Sequence, residues 1–130
     1  MQDSIFTKII KGEIPSHKVY EDEKVIAFLD IQPYTEGHTL VVPKEQIDHL
    51  WDLNDELYRH LMLVVKRVAD RQREVFNPER VGIILEGFAV PHAHVHVFPM
   101  SEGLEATIEH RIPSPSSDQL ATVAKKLYFE

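Results

Sequence analysis

The longest regular pattern of apolar positions begins after Asn54. Leu57, Leu61, Val64, Val68 and Val75 form the stripe of one buried helix face and predict a helix running to about residue 75. Asn77-Pro78 ends it. Shorter apolar runs of strand length lie at residues 17–21, 24–29, 39–42, 81–85 and 92–98. Glu21-Asp22-Glu23 reads as a turn between the first two, Pro43 stops the third, and Gly87 and Pro91 separate the last two. Near the start, Asp3 or Ser4 caps a short helix through Lys11, with Phe6, Ile9 and Ile10 facing inward and Gly12 ending it. After the polar link Ser114-Pro115-Ser116-Ser117, the pair Ser116 and Gln119 reads as a capping box for a last helix near residues 118–127. Short links between strands favour antiparallel pairing. The pattern predicts one α+β domain over 1–130, with a core at 4–100 and a C-terminal extension and helix at 101–130. Its parts are a five-stranded antiparallel sheet, one long helix, a short N-terminal helix and a C-terminal helix.

Charge narrows the partners. Twenty-one acidic against 14 basic side chains give a net charge of -7, which speaks against non-specific nucleic-acid binding but not against a small anion held by a few local donors. With no cysteine, disulfides and thiolate metal sites are ruled out. Met1-Gln2-Asp3-Ser4 lacks a basic segment followed by an apolar run, so no secretory leader is expected. The most apolar stretch, residues 81–90, is interrupted by Glu86 and too short to span a bilayer. A cytoplasmic protein, with no membrane partner, is the expectation.

Candidate chemistry concentrates in one segment. His92-Ala93-His94-Val95-His96-Val97-Phe98 places three of the eight histidines at alternate positions, so on a strand they share one face while Ala93, Val95 and Val97 take the other. An exposed polar strand face is the plainest alternative, although Lys, Thr or Glu would fill it more readily. A metal site is a second. At about 3.3 Å per residue the outer two histidines stand on the order of 13 Å apart, so a cation would use two of them plus ligands from elsewhere. Nucleophilic catalysis is the third: neutral imidazole attacks well near neutral pH and its neighbours can donate to phosphate oxygens. Adjacent imidazoles resist joint protonation, so the middle one can stay neutral beside a cationic neighbour.

The segment His92 to Phe98 resembles the signature of the histidine triad (HIT) superfamily, His-φ-His-φ-His-φ-φ with φ apolar. Three further segments agree in order and spacing: Ile5-Phe6-x-Lys8-Ile9-Ile10 with Glu13-Ile14-Pro15, Phe28-Leu29-Asp30-Ile31-x-Pro33, and Gly37-His38-Thr39-Leu40-Val41-Val42-Pro43-Lys44. The resemblance implies a HIT-like fold and a hydrolase or transferase acting at the α-phosphate of a nucleoside phosphoramidate or dinucleoside polyphosphate. It implies His94 as the nucleophile that becomes nucleotidylated, His96 as the phosphate contact, His92 as support for the array and His38 as a histidine packed beside it. It implies Asp30 as the ribose acceptor, and Ile5, Phe6, Ile9, Phe28 and Ile31 as the base pocket. A purine nucleotide (an AMP or GMP moiety) as substrate, a homodimer, and no cofactor complete the expectation.

Two departures from the family pattern stand out. Where the family usually carries Asn-x-Gly-x-x-Gly-Gln-Ser/Thr-Val, this chain has the shorter Glu86-Gly87-Phe88-Ala89-Val90-Pro91. Phe88 takes the place of the Gln, Ala89 that of the hydroxyl residue assisting the leaving group, and Glu86 stands near the usual Asn. A nucleotide-binding protein with little turnover is therefore a rival expectation, and a histidine metal-binding protein another. Some members also bind structural zinc through Cys-x-x-Cys and a histidine after the Pro-Lys pair. Those places hold Ser4, Thr7 and Gln46, so no metal ligand set is expected here.

Overall fold

A computed structural model describes residues 2–103 and 111–130. Among them the order is α1 (Ile5–Ile10), β1 (Lys18–Glu21), β2 (Val25–Leu29), β3 (Thr39–Pro43), a 3-10 turn (Leu50–Asp52), α2 (Asp55–Phe76), β4 (Arg80–Ile84), β5 (Val95–Met100) and α3 (Ser117–Leu127). The strands form one antiparallel sheet in the order β1-β2-β3-β5-β4. The expected α+β class, the five strands and the three helices are therefore present. Of the expected extension from residue 101, residues 104–110 lie outside the described part.

Local chemistry accounts for the helix ends. Ser4, rather than Asp3, caps α1 by accepting the Thr7 N–H, while Asp3 pairs with Lys11. Asn54 caps α2 through the Leu57 N–H, and Asn77 closes it in the left-handed region at φ 48°. Ser116 and Gln119 form the full capping box of α3.

Both sheet faces are covered in the middle. Ala27, Leu29, Val41, Val95 and Val97 pack with Leu57, Leu61, Val64 and Val68 of α2 and with Leu120 and Leu127 of α3. Ile26, Phe28, Leu40 and Val42 face the other way and meet Phe6 of α1. This explains why β2 and β3 read as unbroken apolar runs. Within the α2 stripe sits a fully buried Gln72, whose Nε2 donates to the carbonyls of Gly37 and Val97 at 3.0 Å each. It ties the helix to the turn before β3 and to β5.

One expected element is corrected. The last strand does not begin at His92. It pairs with β3 only from Val95 and continues to Met100. Pro91 has no N–H to donate, the His92 N–H goes to Val90 and the Ala93 N–H goes to Ile47. Those bonds bend residues 92–94 out of the ladder. At the other end Pro99 is tolerated because β3 has already stopped at the Thr39–Val97 pair, leaving that side of β5 unpaired. No helix among the described residues is long and apolar enough to cross a membrane.

Candidate active site

Register brings the site together. Phe28 of β2 lies opposite Leu40 of β3, and Leu40 lies opposite His96 of β5. An apolar wall and an imidazole thus occupy one row across the sheet. The bend before β5 then lifts His94 beside His96, with ring centroids 5.1 Å apart.

The hydrogen-bond partners assign the tautomers of His38, His92, His94 and His96. A carbonyl only accepts, so His92 Nε2, 2.7 Å from the Pro43 oxygen, carries a proton. Its Nδ1 therefore accepts from the Ser4 hydroxyl at 2.7 Å. His94 Nδ1 lies 2.7 Å from the His92 carbonyl oxygen and must donate to it. The lone pair of His94 is consequently on Nε2. Phe6 packs edge-on to the same ring, 5.0 Å between centroids.

His38 and His96 are set by a second chain of bonds. The Tyr34 N–H donates to His38 Nδ1 at 2.9 Å, so His38 Nε2 carries the proton and donates to His96 Nδ1, also at 2.9 Å. His96 must then hold its own proton on Nε2. That atom is buried and meets no hydrogen-bond partner within the protein, as expected of a donor reserved for a ligand.

Burial keeps the rings of His38, His92 and His96 neutral. His38 is pushed down from 6.5 to about 2, first by burial and then by His96 and Arg111. His96 is pushed down to about 4, first by burial and then by His94 and Arg111. His92 is also lowered by burial. The expected cationic neighbour of His94 is thus corrected: removing an imidazolium from water costs more than its neighbours return. Arg111 is the only Lys or Arg side chain lining the cleft among the described residues. Its guanidinium sits 4.1 Å above the Tyr34 ring centroid.

The cleft in front of these groups has a volume of about 380 Å3. All five residues expected to form the base pocket (Ile5, Phe6, Ile9, Phe28 and Ile31) line it, together with Asp30, His94 and His96. Ile5 and Ile31 are 49% and 65% exposed, leaving apolar surface at the rim of a slot. Asp30 fills two roles. One oxygen accepts the Gln32 N–H at 2.8 Å, the local cap that an Asp before a turn commonly makes, while the other lies 3.7 Å from His38 Nε2. Burial raises the Asp30 pKa above its ordinary value.

His94 also faces a second groove, of about 650 Å3, lined by Asp48, His49, Trp51, Glu86 and Phe88 among others. Phe88, standing where the family has Gln, is 92% exposed, and Ala89 faces the first cleft. Glu86 borders both spaces and accepts the Phe88 N–H at 3.1 Å. Sequence reading missed Tyr34, Arg111 and Trp51. The Pro33-Tyr34 turn offered a weak signal for one of them, and nothing local marked the other two.

Two clusters bring ligand atoms within 4.8 Å of one another: Glu86 with His94 and His96, and Asp30 with His38 and His96. Both draw on His96, whose Nδ1 accepts from His38 and whose Nε2 bears a proton. A cation beside Glu86 would have to reverse the bond from His38, and one beside Asp30 would have to break it, in both cases against the direction set by the Tyr34 amide.

A bent strand entry with an open imidazole lone pair, braced by further histidines beside an apolar slot, defines a histidine-triad site. The HIT domain family matches residues 11–103, and the chain belongs to it. It is 43% identical over 103 residues to "Protein hit" of Bacillus subtilis, covering 75% of this chain and 71% of that one. It is 41% identical over 96 residues to an adenosine 5'-monophosphoramidase of Saccharomyces cerevisiae, covering 73% of this chain and 61% of that one. Among solved structures, a Hit-like protein of Bartonella henselae involved in cell-cycle regulation superposes with a TM-score of 0.85 at 35% identity, covering 96% of this chain and 93% of that one. Hydrolases of nucleoside phosphoramidates therefore occur within the family.

The neutral relay predicts how stability follows pH. The unfolded chain protonates its histidines below about 6.5, whereas native His96 waits until about 4 and His38 until about 2. Between those values the unfolded state binds more protons. Stability is thus complete above 6.5 and falls as the pH drops towards 4 and below. Urea unfolding from pH 7.5 to 4 should show the midpoint dropping below about 6.5, with a shallower slope in His96→Gln. A midpoint that rises on acidification through this window would contradict the assignment.

Proposed function

We propose that this chain is a nucleotide hydrolase or transferase that attacks the α-phosphate of a nucleoside phosphoramidate through His94. The observation that carries this reading is the pairing of a lone pair on His94 Nε2 with a proton on the neighbouring His96 Nε2. A purine base occupies the slot between Ile5, Phe6, Phe28 and Ile31, and the free oxygen of Asp30 accepts from the ribose hydroxyls. Arg111 and His96 Nε2–H face the phosphate oxygens. His94 Nε2 forms a bond to phosphorus as the bond to the leaving nitrogen breaks, and the amine departs with a proton. Water then attacks the same phosphorus, His94 leaves, and a nucleoside monophosphate is released.

Neutral His96 stabilises charge by hydrogen bonding. Giving up its proton would create an imidazolate, so the proton on the departing amine comes from water on the leaving-group side. Ala89, on the first cleft, supplies no hydroxyl where the family pattern has one to assist the leaving group, and this favours the second reading, a binder of nucleotides with little turnover. Mass spectrometry after mixing with adenosine phosphoramidate should find an acid-labile nucleotidyl adduct on His94. His94→Ala should abolish the adduct and lower turnover at least about a thousandfold while AMP still binds. A single burst of product with no further turnover would establish the binder instead.

The second groove supports an amine rather than a polyphosphate as leaving group. Asp48 and Glu86 repel a chain of phosphates, whereas carboxylates beside Trp51 and Phe88 suit a protonated amine. Phosphoramidates whose leaving amine carries a second, cationic group should exceed dinucleoside polyphosphates in kcat/KM by at least about tenfold, one coupling of about 1.4 kcal/mol. Asp48→Asn with Glu86→Gln should narrow that ratio. Faster cleavage of the polyphosphate, unchanged by those substitutions, would reverse the substrate assignment.

A homodimer belongs to the same proposal. The edge strand β4 exposes Ile83, the following residue Leu85 is half-exposed, and β4 packs on α2, which exposes Leu63. These residues give a second copy both an unpaired strand edge and apolar surface. Light scattering at micromolar concentration should report twice the 15.0 kDa mass of the chain; a monomeric mass would refute it.

A further inference from the structure

The zinc that the family resemblance implies for some members has no place among these residues. Ser4, Thr7 and Gln46 stand where those members carry two Cys and a His, and His92 is beside them. A hydroxyl or amide oxygen is a poor substitute for thiolate or imidazole at zinc. Ser4 Oγ–Thr7 Oγ1 at 3.3 Å and Thr7 Oγ1–His92 Nδ1 at 3.4 Å have the spacing of zinc ligands, but the two remaining contacts are hydrogen bonds too short for it. Ser4 Oγ is 2.7 Å from His92 Nδ1, and Thr7 Oγ1 is 2.6 Å from Gln46 Oε1. Tetrahedral ligands with bonds of about 2.0 Å stand about 3.3 Å apart.

What occupies the place is a closed set of hydrogen bonds. The Ser4 hydroxyl donates to His92 Nδ1 and accepts the Thr7 N–H at 3.0 Å. Gln46 Oε1 accepts from both the Thr7 hydroxyl and the Ser4 N–H, at 2.6 and 2.8 Å, and Gln46 Nε2 donates to the Gln2 carbonyl at 2.9 Å. Ser4 is 6% exposed and His92 is fully buried. Every polar atom named here has a partner, and the set joins the α1 cap, the turn after β3 and the bend before β5.

We propose that Ser4, Thr7 and Gln46 act with His92 as a metal-free clasp that positions the nucleophile. The clasp reaches His94 along two routes. Through His92 it holds both ring nitrogens, and the carbonyl of that residue receives the His94 Nδ1–H that leaves the lone pair on Nε2. Through the cap of α1 it seats Phe6 against the His94 ring. Ser4, Thr7 and Gln46 are positioning residues and touch no reacting atom. The inference rests on His94 being the nucleophile, but the orientation it describes is measurable without catalysis.

The test combines metal analysis, histidine nitrogen NMR and kinetics on the full chain. The purified protein should carry well under one equivalent of zinc, and EDTA should leave its turnover of adenosine phosphoramidate unchanged. At pH 7, ¹⁵N NMR should find His94 protonated on Nδ1 alone. Ser4→Ala should mix the two His94 tautomers and lower kcat at least tenfold with KM changed less than threefold, and Ser4→Thr should restore both readouts. Thr7→Val keeps the Ser4 cap, guards against a simple failure to fold, and should shift the same tautomer balance in part. The clasp is refuted if folded Ser4→Ala and Thr7→Val both keep the parent's tautomer and kcat, or if EDTA abolishes activity that zinc restores. An unmodified parent with neither turnover nor adduct would instead sink the proposed function, leaving the NMR and metal content to decide the clasp.

Discussion

The His94 Nδ1–H bond to the His92 carbonyl, 2.7 Å long, is the contact on which the rest of the site depends. An imidazole free to choose its tautomer spends part of its time with the proton on the nitrogen that faces the cleft. Here the acceptor is a backbone oxygen two residues earlier, so the choice is made by the path of the chain. That path is open only because residues 92–94 leave the strand ladder. A regular strand would commit the carbonyl to a neighbour, and the ring would lose its orienting partner.

The second constraint is electrostatic. A cleft lined by several histidines would normally risk filling with protons. Burial prevents this by holding His38, His92 and His96 neutral, and the Tyr34 amide directs the relay so that a proton still points at the ligand. Positive charge is delegated to Arg111, a residue that cannot be discharged and that rests on the Tyr34 ring. The tautomer of His96 and the mismatch with a bound cation follow from one set of bonds.

The two sheet faces divide the labour. One face binds α2 and α3 in a conventional core. The other is only partly covered, by the short helix α1, and the row from Phe28 through Leu40 to His96 runs along it. The same apolar residues complete the core at one end and line the slot at the other. Six residues are too few for a helix to hold position by packing alone, which gives the polar ties under α1 their importance.

Features set by nearest neighbours were legible from the sequence. Capping by Ser4, Asn54 and Ser116, the α2 stripe, the turn at Asn77 and the shared face of His92, His94 and His96 depend on intervals of a few residues. So did the family pattern that placed Asp30, His38 and the pocket residues Ile5, Phe6, Ile9, Phe28 and Ile31. Only tertiary structure decided the remainder. It showed the strand starting at Val95, because the donors of His92 and Ala93 find acceptors at Val90 and, far along the chain, at Ile47. It placed Gln72 in a core stripe, because two carbonyls distant in sequence converge on it. It brought Arg111 over Tyr34 and joined Ser4, Thr7 and Gln46 to His92, pairings separated by 39 to 88 positions in the cases with side-chain bonds to Gln46 and His92. Periodicity records which way a side chain points along its own element, whereas the protonation of an imidazole is set by whatever the fold brings to its other nitrogen.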